Sequence, residues 1–254
     1  MHRIFAAKVA DNVAINRKNS LLTVMPLEST IEPTPGQFYM VQTGSTLDPL
    51  LKRPFSYFRK TPETIQFLYA VKGKGTVQMK ALKPGVEIQI IGPLGKGYPN
   101  PTRGHTPLLI AGGIGVASLF PLAERLRGKA CFIYGAQCRN DLIFLDQMEG
   151  LGCELLTCTD DCSVGRGGKV TDILSSLLDS SKSGPYVLYS CGPKPMLSAV
   201  AEIAASRNMK GFASLEENMA CGFGACMGCA VKTTRGYKRV CKEGPVFPIR
   251  EIVW

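Results

Sequence analysis

Cys221-Gly-Phe-Gly-Ala-Cys226-Met-Gly-Cys229, followed by Cys241, spaces four thiols as C-x4-C-x2-C-x11-C. Two sulfide-bridged irons need four thiolates converging on one small centre, and the first three cysteines carry a spacing known for [2Fe–2S] clusters. Gly222, Gly224 and Gly228 would let the backbone wrap such a centre, because glycine tolerates positive φ and close approach. The same wrapping turns backbone N–H groups toward sulfur. A zinc ribbon favours two C-x2-C pairs, whereas only Cys226 and Cys229 form one here. Free buried thiols are the other bland reading. Cys221, Cys226, Cys229 and Cys241 are therefore expected to ligate a [2Fe–2S] cluster. The segment that holds them, residues 213–254, is too short to build a core without a metal.

Upstream of that segment the rhythm changes once. Residues 1–104 read as short alternating runs (Ile4–Ile15, Ser20–Leu27, Gln37–Gln42, Thr64–Val71, Glu87–Ile91) broken by Pro/Gly turns, with one short helix near Thr76–Leu82. A small closed antiparallel β-barrel is expected. Residues 105–212 alternate strands (Pro107–Ala111, Ala130–Tyr134, Cys153–Thr157, Pro185–Ser190) with helices (Val116–Leu126, Val170–Leu178, Pro195–Arg207). That order predicts an α/β domain on a parallel sheet. The fold class expected is thus α+β multidomain: a barrel over 1–104, a nucleotide domain over 105–212 and a cluster domain over 213–254.

The chain has 254 residues and a formal charge of +10, which raises nucleic acid or an anionic membrane as partner. Residues 1–104 hold 14 basic and 6 acidic groups, while residues 105–214 hold 10 of each, so the surplus belongs to the barrel region. It is spread in pairs such as Arg17-Lys18, Lys52-Arg53 and Arg59-Lys60 with no long run, which reads as a solvated face. The uncharged stretch Thr106–Ala123 contains Gly112, Gly113, Gly115 and Pro121 and is short for a membrane span, so no transmembrane segment is expected. The first residues show no apolar core of a signal peptide, and a cytoplasmic location is expected. The other cysteines, at positions 131, 138, 153, 158 and 162, are read as structural, and His2 and His105 offer no acid–base case.

Four boxes carry a resemblance. Arg53-Pro54-Phe55-Ser56 resembles the Arg-x-(Tyr/Phe)-Ser box of the ferredoxin-reductase flavoprotein family. If it lies on a strand, alternation puts Arg53 and Phe55 on one face and Ser56 on the other. Leu68-Tyr69-Ala70, followed by Gly73, Gly75 and Thr76, opens the short helix, whose free N–H groups could receive a pyrophosphate. Gly92-Pro-Leu-Gly95-Lys-Gly97 matches a third family segment. Gly112, Gly113 and Gly115 sit between a predicted strand and a predicted helix, where a dinucleotide loop or an ordinary tight turn would sit. Cys191-Gly192-Pro193, with Met196, resembles the box that borders the nicotinamide in this family. The resemblance implies FAD held by Arg53, on phosphate, and Ser56, on the flavin ring. It also implies NAD beside Cys191, near the hydride-transfer locus, though a small buried hydrophobe is the alternative for that residue.

The order of these parts, and the wording Ser214-Leu-Glu-Glu-Asn-Met-Ala-Cys221 with Tyr237-Lys-Arg-Val-Cys241, looks like the electron-transfer subunits of class 1B dihydroorotate dehydrogenases. That resemblance implies a separate FMN-containing catalytic subunit, a heterotetramer with two of each chain, and electrons running from FMN through [2Fe–2S] and FAD to NAD+ in pyrimidine biosynthesis. A TIM barrel of ~250 residues would not fit in this chain beside its own domains, so dihydroorotate oxidation would fall to the partner. Two alternatives stand beside it. One is a related NAD(P)H-dependent reductase serving ferredoxin, whose small subunit usually has aspartate where this chain has Cys221. The other is a zinc-stabilised basic nucleic-acid-binding protein, which would be colourless and bind in a salt-sensitive way.

Overall fold

A computed structural model describes residues 3–44, 48–180 and 185–254; His2 lies outside these. The first half forms β1 (Arg3–Ala14), β2 (Asn19–Pro26), β3 (Phe38–Val41), β4 (Arg53–Ser56), β5 (Arg59–Lys60), β6 (Ile65–Ala70), helix α1 (Lys74–Lys80) and β7 (Glu87–Leu94). These strands make one antiparallel sheet ordered β4-β3-β7-β1-β2-β6-β5. Period-two burial drives it: Phe5, Ala7 and Val9 of β1 and Leu22 and Val24 of β2 point into a core with Tyr39, Phe67 and Ile88. The sheet curls until Phe55 of β4 meets Tyr69 of β6, ring centroids 5.8 Å apart. Its terminal strands β4 and β5 are not hydrogen-bonded to each other, so the expected closed barrel is an open half-barrel.

The second half contains β8 (Thr106–Gly112), α2 (Val116–Leu126), β9 (Cys131–Ala136), α3 (Leu145–Glu149), β10 (Glu154–Thr159), β11 (Arg166–Gly167), α4 (Val170–Asp179), β12 (Tyr186–Cys191), α5 (Lys194–Ser206) and β13 (Lys210–Ser214). A hairpin of β14 (Ala230–Thr233) and β15 (Gly236–Arg239) and a last strand β16 (Val246–Pro248) complete the chain. The second sheet is ordered β11-β10-β9-β8-β12-β13-β16 and is parallel except for β16. Leu108–Gly112 and Cys131–Gly135 are buried on both faces, as helix-covered parallel strands must be. The uncharged run Thr106–Ala123 is β8, a tight turn and most of α2, and no described helix is long and apolar enough to cross a membrane.

The cysteine tail does not stand apart from the rest. Its strand β16 pairs with β13, Phe247 opposite Ala213, and so extends the parallel sheet. Cys229, Val240, Cys241 and Phe247 share one buried cluster with Leu108 and Ile110 of the parallel sheet and with Phe38, Met40 and Leu94 of the half-barrel. The tail thus obtains from both sheets the core that its length denies it.

Phe58, just before β5, joins the two sheets from the other side. Its ring lies 4.4 Å from Phe120 of α2 and 4.6 Å from Phe144, measured between centroids. Arg59 sits 5.1 Å over the Phe120 ring and pairs with Glu124 at 2.8 Å. Truncating Phe58 to alanine at this buried junction should cost about 3–5 kcal/mol, measurable as a lower urea midpoint with an unchanged slope. A loss below about 1 kcal/mol would mean that the seam is held elsewhere.

Candidate cofactor cleft and cluster cradle

The strand order runs outward in both directions from β8 and β12, so the carboxyl ends of these neighbours, Gly112 and Cys191, flank a topological switch point. Open α/β sheets bind ligands at such a crevice. Here the half-barrel faces it and encloses a cleft of about 430 Å³. One wall is Pro54, Phe55, Ser56, Leu68, Tyr69, Ala70 and Lys72; the opposite wall is Ile114, Gly115, Ala117, Ser118 and Cys191. Residues 214–219, with Phe38 and Pro245, line the remainder.

Of the residues singled out in the sequence, Pro54, Phe55, Ser56, Leu68, Tyr69, Ala70, Gly115 and Cys191 meet at this cleft. The alternation expected for β4 does not separate Phe55 from Ser56. All four of its residues are half-buried, because β4 is a curled edge strand at the cleft mouth. Arg53, Gly75 and Thr76 lie beside the cleft at the start of α1, where a Cβ on Gly75 would come 3.2 Å from Arg53 Nε. Arg53 Nη1 donates to Leu51 O at 2.7 Å, which sets the guanidinium across that helix start.

The N–H groups at this turn are only partly free. Thr76 Oγ1 accepts from Lys72 N–H at 2.9 Å and from Gly73 N–H at 3.1 Å. Those of Lys74, Gly75 and Thr76 precede the first helical bond, Val77 N–H to Gly73 O.

Gly112, Gly113, Gly192, Pro193 and Met196 form the rim where the β8–α2 and β12–α5 turns pack together. A Cβ on Gly112 would lie 2.6 Å from Met196 Sδ, and one on Gly115 would lie 2.3 Å from Cys191 O. Contact between the two turns therefore already demands these glycines. Gly113 differs, with φ +52 and open space where its Cβ would be.

Ser118 is not among the residues that the sequence singles out. Ser118 follows Gly115 by three residues and shares its helix face, a signal that periodicity could have given. The 214–219 segment stands out in the sequence only through the wording that leads into Cys221, which attaches no place in the cleft to it.

In the cradle, Ala225 N–H and Cys226 N–H donate to Cys221 Sγ at 3.3 and 3.5 Å, and Cys241 N–H donates to Cys229 Sγ at 3.4 Å. Gly222 (φ +79), Gly224 (φ +93) and Met227 (φ +61) make the turns that aim these donors. Arg239 of β15 clamps the loop, donating to Gly224 O at 2.7 Å while its guanidinium takes both carboxylate oxygens of Glu243, at 2.6 and 3.1 Å. That bond holds the Glu243 carboxyl down at about 2.

Burial works against ionisation of Cys221, but backbone N–H groups outweigh it and bring the thiol to about 6. Burial and the neighbouring Cys229 thiol push Cys241 up to about 12. Among the described residues no three His, Cys, Asp or Glu side chains converge as one metal ion would need. The cysteines are linked two by two instead, Cys226 N–H to Cys221 Sγ and Cys241 N–H to Cys229 Sγ. A binuclear cluster asks for two ligands on each iron, so the donor set fits it.

Cleft and cradle adjoin. Met219 lines the cleft and Cys221 is two residues further on, a span of at most ~7 Å. Gly222 rests on Met40, where a Cβ would come 2.3 Å from Met40 Cγ, and Met40 pairs with Pro54 of β4. Glu216 is exposed to the cleft yet ringed by protein, and this desolvation raises its carboxyl against the pull of Lys72. Burial likewise raises the Cys191 thiol and keeps it protonated.

The model of the iron-sulfur cluster binding domain of dihydroorotate dehydrogenase B matches residues 216–253. A relative in Caldanaerobacter subterraneus subsp. tengcongensis, the dihydroorotate dehydrogenase B (NAD(+)) electron transfer subunit, is 38% identical over 228 residues, covering 88% of each chain. An Aquifex aeolicus homolog of that subunit is 39% identical over 252 residues, covering 97% of each chain. Among solved structures, an NADH-dependent reduced ferredoxin-NADP oxidoreductase, described for flavin-based electron bifurcation, superposes with TM-score 0.86 at 25% identity over 98% of this chain and 90% of its own. With the half-barrel, the parallel sheet and the cysteine cradle in one order, this chain belongs to the family of dihydroorotate dehydrogenase B (NAD(+)) electron-transfer subunits.

Proposed function

We propose that this chain works with an FMN-containing dihydroorotate dehydrogenase catalytic subunit, two copies of each, and delivers the electrons of dihydroorotate to NAD+. A cluster at Cys221, Cys226, Cys229 and Cys241 would exchange single electrons, and FAD would pass them on in pairs as hydride. The observation that carries this reading is the continuity of the 214–222 segment. It lines the cleft, runs into the first cluster ligand and packs on the strand that pairs with β4.

The chain's own residues supply position and charge. Arg53, set across the start of α1, would hold the FAD pyrophosphate together with the free N–H groups of Lys74, Gly75 and Thr76. Pro54, Phe55 and Ser56, with Leu68, Tyr69 and Ala70 on the same wall, would hold the flavin ring. Gly113 leaves open backbone for the NAD pyrophosphate, while Gly112, Gly115, Gly192, Pro193 and Met196 shape the rim. Cys191 stays neutral on the cleft wall and would add no negative charge beside the nicotinamide and flavin. The cradle N–H groups of Ala225, Cys226 and Cys241 donate to sulfur, where they would favour the reduced cluster.

The ferredoxin-linked reading retains one supporting observation, the close superposition on the ferredoxin-NADP oxidoreductase. Its identity to this chain, 25%, is well below the 38–39% of the dihydroorotate relatives.

Arg53→Ala should weaken FAD binding about ten- to hundredfold, the worth of a lost charge-assisted hydrogen bond, in a fluorescence titration of FAD-stripped chain. Unaltered affinity would remove Arg53 from the phosphate site. Purified with its catalytic subunit, the chain should couple dihydroorotate oxidation to NAD+ reduction. Cys226→Ser, at an exposed ligand, should abolish that coupling and the cluster's EPR signal while NADH still reduces a dye through FAD. Failure of the cofactor-replete wild-type complex to couple would sink the assignment, and coupling to ferredoxin instead would support the second reading.

A further inference from the structure

The turn between β1 and β2 carries the half-barrel over to the parallel-sheet half, in contacts that the roles above do not use. Asn16 Oδ1 shapes this turn by accepting from Lys18 N–H at 2.9 Å and from Asn19 N–H at 2.8 Å. From it, Asn16 Nδ2 donates to Asn140 O at 2.7 Å. Lys18 Nζ donates to Asp141 Oδ2 at 2.7 Å and to Gln137 Oε1 at 3.0 Å. Ile15, beside them, packs against the cluster that holds Phe132 and Tyr134 of β9.

The loop gripped in this way, residues 137–141, leaves the carboxyl end of β9. Its own half holds its other sides. Arg139 N–H donates to Ser163 Oγ at 2.8 Å, Asp161 N–H to Gln137 O at 3.1 Å, and Tyr134 Oη to Asp141 O at 3.3 Å. The Asp141 side chain is 13% exposed and also accepts from the Cys138 thiol at 3.5 Å, so a well-covered carboxylate faces Lys18. A lone surface ion pair would contribute little. Here two side chains of one turn make three bonds to one short loop, and these fix the loop to the half-barrel.

β9, β8 and β12 are neighbours in that order, with Gly135 opposite Gly112 and Ala111 opposite Cys191. Nicotinamide, pyrophosphate and adenosine follow one another in the dinucleotide itself. With the nicotinamide at Cys191 and the pyrophosphate over Gly113, the adenosine runs on past Gly135 to the 137–141 loop. We propose that Lys18 is a positioning residue for the adenosine half of NAD: through Asp141 and Gln137 it holds this loop where the adenosine lies. A part of the substrate so far from the reacting carbon adds binding, and its loss shows in KM. The inference deepens the NAD reading above and rests on it, and it is independent of which donor feeds the cluster.

The test uses the full chain, loaded with FAD and cluster, with ferricyanide as acceptor, so that no catalytic subunit is needed. Two hydride donors are compared: NADH, and reduced nicotinamide mononucleotide, which lacks the adenosine half. Lys18→Met should lower kcat/KM for NADH about three- to fivefold, through KM, and leave that for the mononucleotide within about 1.5-fold. Asp141→Asn should show the same split, and adding Lys18→Met to it should cost little more, because both act through one contact. Should Asp141→Asn not fold, Gln137→Ala carries the same cycle with the same reading. Equal losses with both donors would make Lys18 a mere brace between the sheets and overturn the proposal. An unchanged kcat/KM for NADH, or additive losses in the cycle, would overturn it too, and all three leave the NAD reading standing. Wild-type protein that oxidises neither donor would overturn the NAD reading, and the role of Lys18 with it.

Discussion

Phe247 lies buried opposite Ala213, and the short β13–β16 ladder they belong to is the constraint on which the site depends. The ladder pins the far end of the cysteine tail to the parallel sheet. Leu215 N–H donates to Pro245 O at 2.9 Å, and Lys96 N–H after β7 donates to Gly244 O, so the same turn also grips the half-barrel. Between these fixed points the chain must pass along the cleft and then wrap the thiols. A forty-residue segment with no core of its own is thereby given one geometry.

The cradle repeats this economy on a smaller scale. Backbone N–H groups serve as sulfur ligands' partners, and positive φ at Gly222 and Gly224 is what turns them inward. Gly222 also has no room for a side chain, because Met40 occupies the space. One residue thus answers both to the cluster and to the half-barrel beneath it. Sequence reading assigned these glycines to the wrap alone; the packing reason appears only when β3 is in place.

Much of the framework was legible because it rests on local patterns. The period-two runs of β1, β2 and β6 and the helix over 116–126 follow from burial and turn chemistry alone. The strands β13 and β16 were not legible: Lys-Gly-Phe-Ala-Ser and Val-Phe-Pro carry no periodicity, and their neighbours in space make them strands. The barrel closure was misjudged for a related reason, since composition shows alternation but not whether edge strands meet. In the site, Pro54–Ser56, Leu68–Ala70 and Cys191 line one cleft, whereas Gly112 and Gly115 owe their size to Met196 and Cys191. The basic surplus of residues 1–104 is partly spent at home. Lys8, Lys18, Arg59, Lys60 and Lys74 each pair with a carboxylate, two of them across to the parallel-sheet half.

Cradle and cleft adjoin as one conduit should. That conduit is tested most directly by reducing the full chain with dithionite, removing the excess reductant, and mixing it anaerobically with NAD+ while following the cluster by EPR. The cluster signal should decay as NADH forms in FAD-loaded protein and persist in FAD-stripped protein. A cluster that stays reduced with FAD and NAD+ both present would contradict the account.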